Sequence, residues 1–301
     1  YLKDSPISNF IANSTLLRQG FLPTPWCSLS HLQTVAATLR PAPSIQFQRK
    51  YLELPDGGRV GLDFFPSLAT ECVSRDTVLI LHGITGGSGE NYVRSFVQHC
   101  HNDGELLVSN LVGFQTVVFN ARGCADTELT SPRVTQFSVR SARDTALLVK
   151  HIRRLLEPGY RLFAVGFSLG SMILTKYLGE SGSGAGLHAA VCISCPFDMT
   201  TAQRGMESSW INLYCYNYTL CKRLVQYSQR HQSIFHSHSS GESAAISRCK
   251  TIREFEQHVI CPMFGYADVA AYYRDGTPNQ YVPSIATPTV FLVACDDPFL
   301  G

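Results

Sequence analysis

Five short, continuous apolar runs constrain what this chain can fold into. They are Thr77-Val-Leu-Ile-Leu81, Thr116-Val-Val-Phe119, Arg161-Leu-Phe-Ala-Val165, Ala189-Ala-Val-Cys-Ile193 and Pro288-Thr-Val-Phe-Leu-Val293. None alternates apolar with polar residues, so each reads as a strand buried on both faces. Between the first three lie segments with helical spacing. Tyr92, Val93, Phe96, Val97 and Cys100 share one side of a helix over 89–100. Ala142, Leu148, Val149, Ile152, Leu155 and Leu156 share a side over 139–156, with Arg143, Lys150 and Arg154 opposite. A third helix is predicted over 169–178. Strands alternating with helices give a parallel sheet covered on both faces. Before the first run, the alternating Val60, Leu62 and Phe64 follow Pro55-Asp56-Gly57-Gly58, a hairpin signal. The expected fold is α/β, a mostly parallel sheet with an N-terminal antiparallel hairpin.

Roughly ninety residues separate the fourth and fifth runs, far more than a crossover needs. Residues 203–260 are rich in Tyr, Ser, His and helix formers and read as a helical insertion over the sheet. The predicted organisation is an irregular N-terminal extension (1–50) holding a short helix over 29–39, a core (51–200), a helical lid (201–280), and a return to the core (281–301). Gly179 to Gly186 reads as a Gly/Ser-rich loop.

The chain has 301 residues, 45% hydrophobic and 16% charged, enough apolar material for one sizeable core. A formal charge of +2 gives no electrostatic footprint for nucleic acid. Eleven cysteines without regular spacing read as reduced thiols. Cys192, Cys195 and Cys295 are expected to be small core hydrophobes. No second ligand pair accompanies Cys192 and Cys195, so neither metal nor cofactor is expected. No run is long enough to cross a bilayer.

The chemistry concentrates in three places. Gly166-Phe167-Ser168-Leu169-Gly170 stands between the third strand and the following helix. A turn this sharp strains the backbone at Ser168 and leaves no room for a side chain at Gly166 or Gly170. It presents a hydroxyl at the carboxyl edge of the sheet and the amino end of a helix. Ser168 is therefore the expected nucleophile. The second place is Leu81-His82-Gly83-Ile84-Thr85-Gly86-Gly87, where Ile84, with Leu169, would supply backbone N–H groups to a developing oxyanion. His82 is expected to tie this loop down rather than act as a base. The third is Asp296-Asp297-Pro298 after the last strand. There Asp297 is the expected acid, Asp296 lies one position early, and Asp198 is a weaker candidate. Arg122 and Asp126 could rim the site or pair structurally. Asp144 is a hydrogen-bond acceptor or a surface charge. Trp210, Tyr214, Tyr216 and Tyr218 could line an acyl pocket beneath the insertion, with packed core the expected role of most of them.

These residues resemble the lipid-cleaving branch of the abhydrolase-domain proteins, with the α/β-hydrolase fold. That branch takes in animal phospholipase-type members, plant embryogenesis-associated-protein-like members and bacterial relatives. The resemblance runs from about Pro23 to Gly301. It rests on Pro25-Trp26 with His31-Leu-Gln-Thr34, His82-Gly-Ile-Thr-Gly86, Asn91-Tyr92, Phe119-Asn-Ala-Arg-Gly123, Gly166 to Gly170, Phe264-Gly-Tyr266 with Tyr272-Tyr273, and Asp296-Asp-Pro-Phe299. It implies hydrolysis of carboxylic esters of acylglycerols or phospholipids by a Ser168/Asp297 pair with a histidine. It also implies, for animal members, an N-terminal membrane anchor that these residues do not include. The order of such a triad is Ser, Asp, His. All ten histidines precede Asp297. The histidine is therefore expected beyond Gly301, with residues 1–301 alone a truncated fragment, inactive or nearly so. Two rival readings stand beside the esterase: a non-catalytic lipid-binding member, and a thioesterase or amidase using the same machinery.

Overall fold

The computed structural model describes residues 12–14, 22–23, 25–102, 113–130, 142–238 and 243–300. Its centre is one sheet of seven strands: β1 Gln48–Glu53, β2 Arg59–Phe65, β3 Thr77–Leu81, β4 Gln115–Asn120, β5 Leu162–Phe167, β6 Ala189–Ile193 and β7 Thr289–Leu292. In space they run β1-β2-β4-β3-β5-β6-β7. The hairpin β1–β2 is antiparallel and β2 joins β4 antiparallel, while β4, β3, β5, β6 and β7 are mutually parallel. All five apolar runs are thus strands of one parallel block, with the hairpin at its edge, as expected. Leu81 pairs with both Phe119 and Gly166, and Phe167 with Ile193, so the carboxyl ends of these strands form one rim.

Side-chain alternation along β3 feeds two cores. Val78 and Ile80 join Val118 and Val165 on one face, under Val93 and Val97 of α2 (Asn91–Asn102). Leu79 and Leu81 join Val117, Phe119, Leu162 and Ala164 on the other. That second face is covered by α3 (Ala142–Leu155) and α4 (Leu169–Ser181). An N-terminal helix, α1, covers Ser30–Leu39. Of the helix predicted over 139–156, residues 139–141 lie outside the described residues.

Between β6 and β7 the described residues are mostly helical. They include α5 (Met199–Glu207), a π-helical turn Asn212–Asn217, α6 (Tyr218–Arg230) and further short helices through Val269–Gly276. No helix among the described residues is long and apolar enough to cross a membrane.

Three expectations need correction. Gly179 to Ser181 is the last turn of α4, not loop, and Gly182–Gly184 is a 3-10 turn. Gly179 is there because Tyr281 packs so close that a Cβ would meet its carbonyl oxygen at 2.5 Å. Cys295 is exposed, because the chain has left the sheet by then. Of the four aromatics, only Tyr216 is buried. Trp210, Tyr214 and Tyr218 fall four residues apart along the helical segment and face outward.

Arg122 ties several of these parts together. Its guanidinium, nearly fully buried, makes a paired contact with Asp144 of α3 (Nε–Oδ2 2.7 Å, Nη2–Oδ1 2.8 Å) and reaches Asp56 of the hairpin turn at 2.8 Å. Its carbonyl oxygen accepts the Tyr227 hydroxyl of α6 at 2.7 Å. Structural pairing, not a pocket rim, is therefore the role of Arg122, and Asp144 is its buried acceptor. Arg122→Met should cost about 3–5 kcal/mol in urea unfolding, because it strands a buried carboxylate. Adding Asp144→Leu should recover most of the loss. Equal stability of the single and double variants would contradict this.

Candidate active site

Ser168 follows β5 and precedes α4 with φ +49° and ψ −117°, a conformation L-residues rarely adopt. Four contacts hold it there. The Ser168 N–H donates to the Ile193 carbonyl at 3.0 Å, fixing the turn to β6. The Ser168 carbonyl accepts Ser171 N–H at 2.9 Å and Met172 N–H at 3.1 Å, and the Ser171 hydroxyl as well. On both sides there is room only for glycine. A Cβ on Gly166 would lie 2.6 Å from the Gly170 carbonyl oxygen. One on Gly170 would lie 2.4 Å from that of Leu81 and 2.6 Å from that of His82. The side chain of Ser168 is exposed, and it makes no hydrogen bond to another described residue.

The loop after β3 comes to the same place. Gly83 faces Ser168, since a Cβ built on Gly83 would lie 3.6 Å from the Ser168 Cβ. A turn closes over Ile84 and Thr85 by Gly86 N–H to Gly83 carbonyl at 3.2 Å, with Thr85 at φ +52°. Gly83 N–H is engaged, donating to the Tyr92 hydroxyl at 2.9 Å. The N–H groups of Ile84 and of Leu169 have no partner among the described residues. Two free amides therefore flank one exposed hydroxyl, at the positive end of α4. Behind Leu169, an apolar crevice is walled by Leu81, Phe119, Leu169 and Ile173.

His82 is buried in the loop's base. Its Nε2 accepts Ala121 N–H at 3.3 Å and its Nδ1 lies 2.6 Å from the Gly83 carbonyl, which assigns the proton to Nδ1. Burial lowers its pKa to about 4. The ring is a neutral strut across two strand ends.

Asp297 comes five residues after the end of β7, a strand that lies two places from β5 in the sheet. It is half-buried, while Asp296 is exposed. Its Oδ1 accepts Phe299 N–H at 2.9 Å. Asp198 is occupied otherwise: it caps α5 by accepting Thr201 N–H at 2.6 Å. Of the histidines, His31, His82, His99, His188 and His231 each bond elsewhere.

Several contacts here carry no sequence signal. The Tyr216 ring packs tilted against Phe299 at 4.8 Å and its hydroxyl meets His31 Nδ1 at 2.9 Å, joining α1, the helical segment and the loop after β7. Asn212 donates to the Pro298 carbonyl at 3.2 Å, seating the same loop. Tyr92 came from the resemblance, and its bond to Gly83 could not be read from spacing. Tyr273, also in a resemblance motif, donates to buried Glu256, whose carboxyl burial pushes up to about 8.

Residues 76–210 match the alpha/beta hydrolase fold family. Phospholipase ABHD3 of Mus musculus is 31% identical over 292 residues, covering 94% of this chain and 67% of the relative. An abhydrolase domain-containing protein of Dictyostelium discoideum is 30% identical, over 99% of this chain and 74% of the relative. The monoacylglycerol lipase of Saccharomyces cerevisiae is 30% identical, over 76% and 49% respectively.

Two measurements check this geometry. Gly170→Ala should destabilise by about 3 kcal/mol or block folding, because the methyl collides with backbone. Gly89→Ala, with open space around it, should move urea stability by no more than about 0.5 kcal/mol. His82 should also set a pH dependence. The unfolded imidazole, near 6.5, binds a proton that the folded one, near 4, refuses. Stability therefore falls as pH drops from 6.5 to 4, by about 3 kcal/mol for this group. His82→Gln should flatten that window, and an unchanged slope would remove His82 as its cause.

Proposed function

The chain belongs to the α/β-hydrolase family, and from that premise we propose that it is a serine hydrolase of lipid carboxylic esters. Relatives named phospholipase and monoacylglycerol lipase support the substrate class. The observation that carries the chemistry is the exposed, strained Ser168 between two unpaired amides.

Ser168 Oγ attacks the ester carbonyl and gives its proton to an imidazole. The carbonyl oxygen, now negative, is held by the N–H groups of Ile84 and Leu169. Asp297 orients and stabilises the imidazolium. The imidazolium returns the proton to the leaving alcohol, and water then hydrolyses the acyl-serine by the same steps. In this fold's chain order the histidine follows Asp297. Two strand spacings between β5 and β7 leave room for a ring with a hydrogen bond on each side. Segment 201–280 serves as the lid over this rim. No cofactor is required.

The test uses the full-length protein. A fluorophosphonate should label it, and Ser168→Ala should abolish labelling while retaining the fold by circular dichroism. Hydrolysis of acylglycerol or phospholipid should drop about 10⁴-fold or more with the same change. Absence of labelling in the folded, full-length wild type would sink the reading.

A further inference from the structure

An open cavity of about 550 Å³ lies beside the oxyanion turn, lined by Thr85 and by Arg223, Gln226, Gln229 and Arg230 of α6. The four α6 residues share its solvent-facing side, while Cys221, Leu224, Val225 and Tyr227 pack inward. Resting on the hydrolase reading above, we propose that this cavity binds the phosphate-bearing headgroup of a glycerolipid substrate, making Arg223 and Arg230 its specificity determinants.

Charge is the first argument. Two guanidinium groups face one cavity, and among the described residues only Glu90 opposes them, 3.3 Å from Arg223. No described carboxylate lies within ion-pair distance of Arg230. Guanidinium groups on one face repel unless an anion sits between them, and phosphate is the anion their fork geometry fits best. Gln226 and Gln229 add amide donors.

Position is the second argument. Thr85 lies two residues beyond Gly83, which abuts Ser168, so chain connectivity keeps the Thr85 edge of the cavity within about 7 Å of Gly83. In a glycerophospholipid, a handful of bonds separate an ester carbonyl from the phosphorus. A carbonyl on Ser168 therefore brings the phosphate to this cavity. The Thr85 hydroxyl has no described partner although its oxygen is buried, leaving a donor available at the cavity edge.

Rigidity is the third argument. Arg223 and Arg230 sit on a helix anchored to the rim, not on a free loop. Tyr227 donates to the Arg122 carbonyl at 2.7 Å and His231 Nε2 lies 3.0 Å from the Gly123 carbonyl. Gly123, at φ +73°, admits this approach, since a Cβ there would lie 2.4 Å from the Tyr227 hydroxyl.

The experiment compares full-length wild type with Arg230→Gln and Arg223→Gln/Arg230→Gln. Substrates are a phospholipid and an uncharged acylglycerol with the same acyl chains. The ratio of kcat/KM, phospholipid over acylglycerol, should fall about tenfold in the single variant and further in the double. Binding is measured separately, by calorimetric titration of Ser168→Ala protein with glycerol 3-phosphate and with inorganic phosphate. Glycerol 3-phosphate should bind, more tightly than inorganic phosphate, and Arg230→Gln should weaken it about tenfold. An unchanged substrate ratio overturns the proposal, as does inorganic phosphate binding equally well, which would mark a free-anion site. If no ester is hydrolysed, the hydrolase reading fails by itself, and the titration still decides the anion site.

Discussion

The close approach of helix α4 to the end of β3 is the contact from which the rest of the site follows. With no Cβ at Gly170, the first turn of α4 can lie against the carbonyls of Leu81 and His82. That proximity brings Leu169 N–H beside the loop carrying Ile84, so two amides from distant parts of the sequence converge. Neither has another partner among the described residues. An unpaired N–H is costly when it is shut away from water and a ready donor when it faces a cleft. Here both stand next to the exposed Ser168 hydroxyl, and on that arrangement their proposed oxyanion role rests.

Keeping that arrangement requires the surrounding backbone to hold strain. Ser168 and Thr85 both adopt positive φ. Each is fixed by bonds from neighbouring elements rather than by its own side chain. Ser168 is pinned to Ile193 of β6, and the Thr85 turn is braced by Tyr92 and His82. The neutral state of His82 matters to this bracing. One ring nitrogen must accept from Ala121 while the other meets the Gly83 carbonyl, and a doubly protonated ring could not do both. Arg122 performs the analogous task outside the rim, joining hairpin, α3 and α6 through one guanidinium and one carbonyl.

Much of this was legible in the residues. Continuous apolar runs announce doubly covered strands, and the glycines around Ser168 mark a strand-to-helix turn. Strand order was not legible, because nothing local says that β4 lies between β2 and β3. Pairings between distant polar residues were also hidden. Arg122 with Asp144, and Tyr216 with Phe299 and His31, depend on where the chain returns in space. The aromatics of the helical segment misled, since composition suggested core and only the helical phase decides the side. Trp210, Tyr214 and Tyr218 share a phase that points outward, and Tyr216 lies across from them. Gly179 misled for the opposite reason. Glycine beside serine looks like a loop, yet its role is to let Tyr281 approach a helix.

The turn Gly83 to Gly86 also divides two environments. On its inner side lies a narrow crevice of about 10 Å³ walled by Leu81, Phe119, Leu169 and Ile173. On its outer side lies the cavity with Arg223 and Arg230, a surface that asks for negative charge. On the proposed reading, a glycerophospholipid sets its ester carbonyl at Ser168 and its phosphate on the Arg223 and Arg230 side of the turn. An uncharged small ester would use the nucleophile and the amides but leave the two guanidinium groups unanswered. On that reading the geometry would separate how the bond is broken from which lipid is chosen. The first depends on β3, β5 and α4, and the second on α6, whose inward face of Cys221, Leu224, Val225 and Tyr227 belongs to the main core.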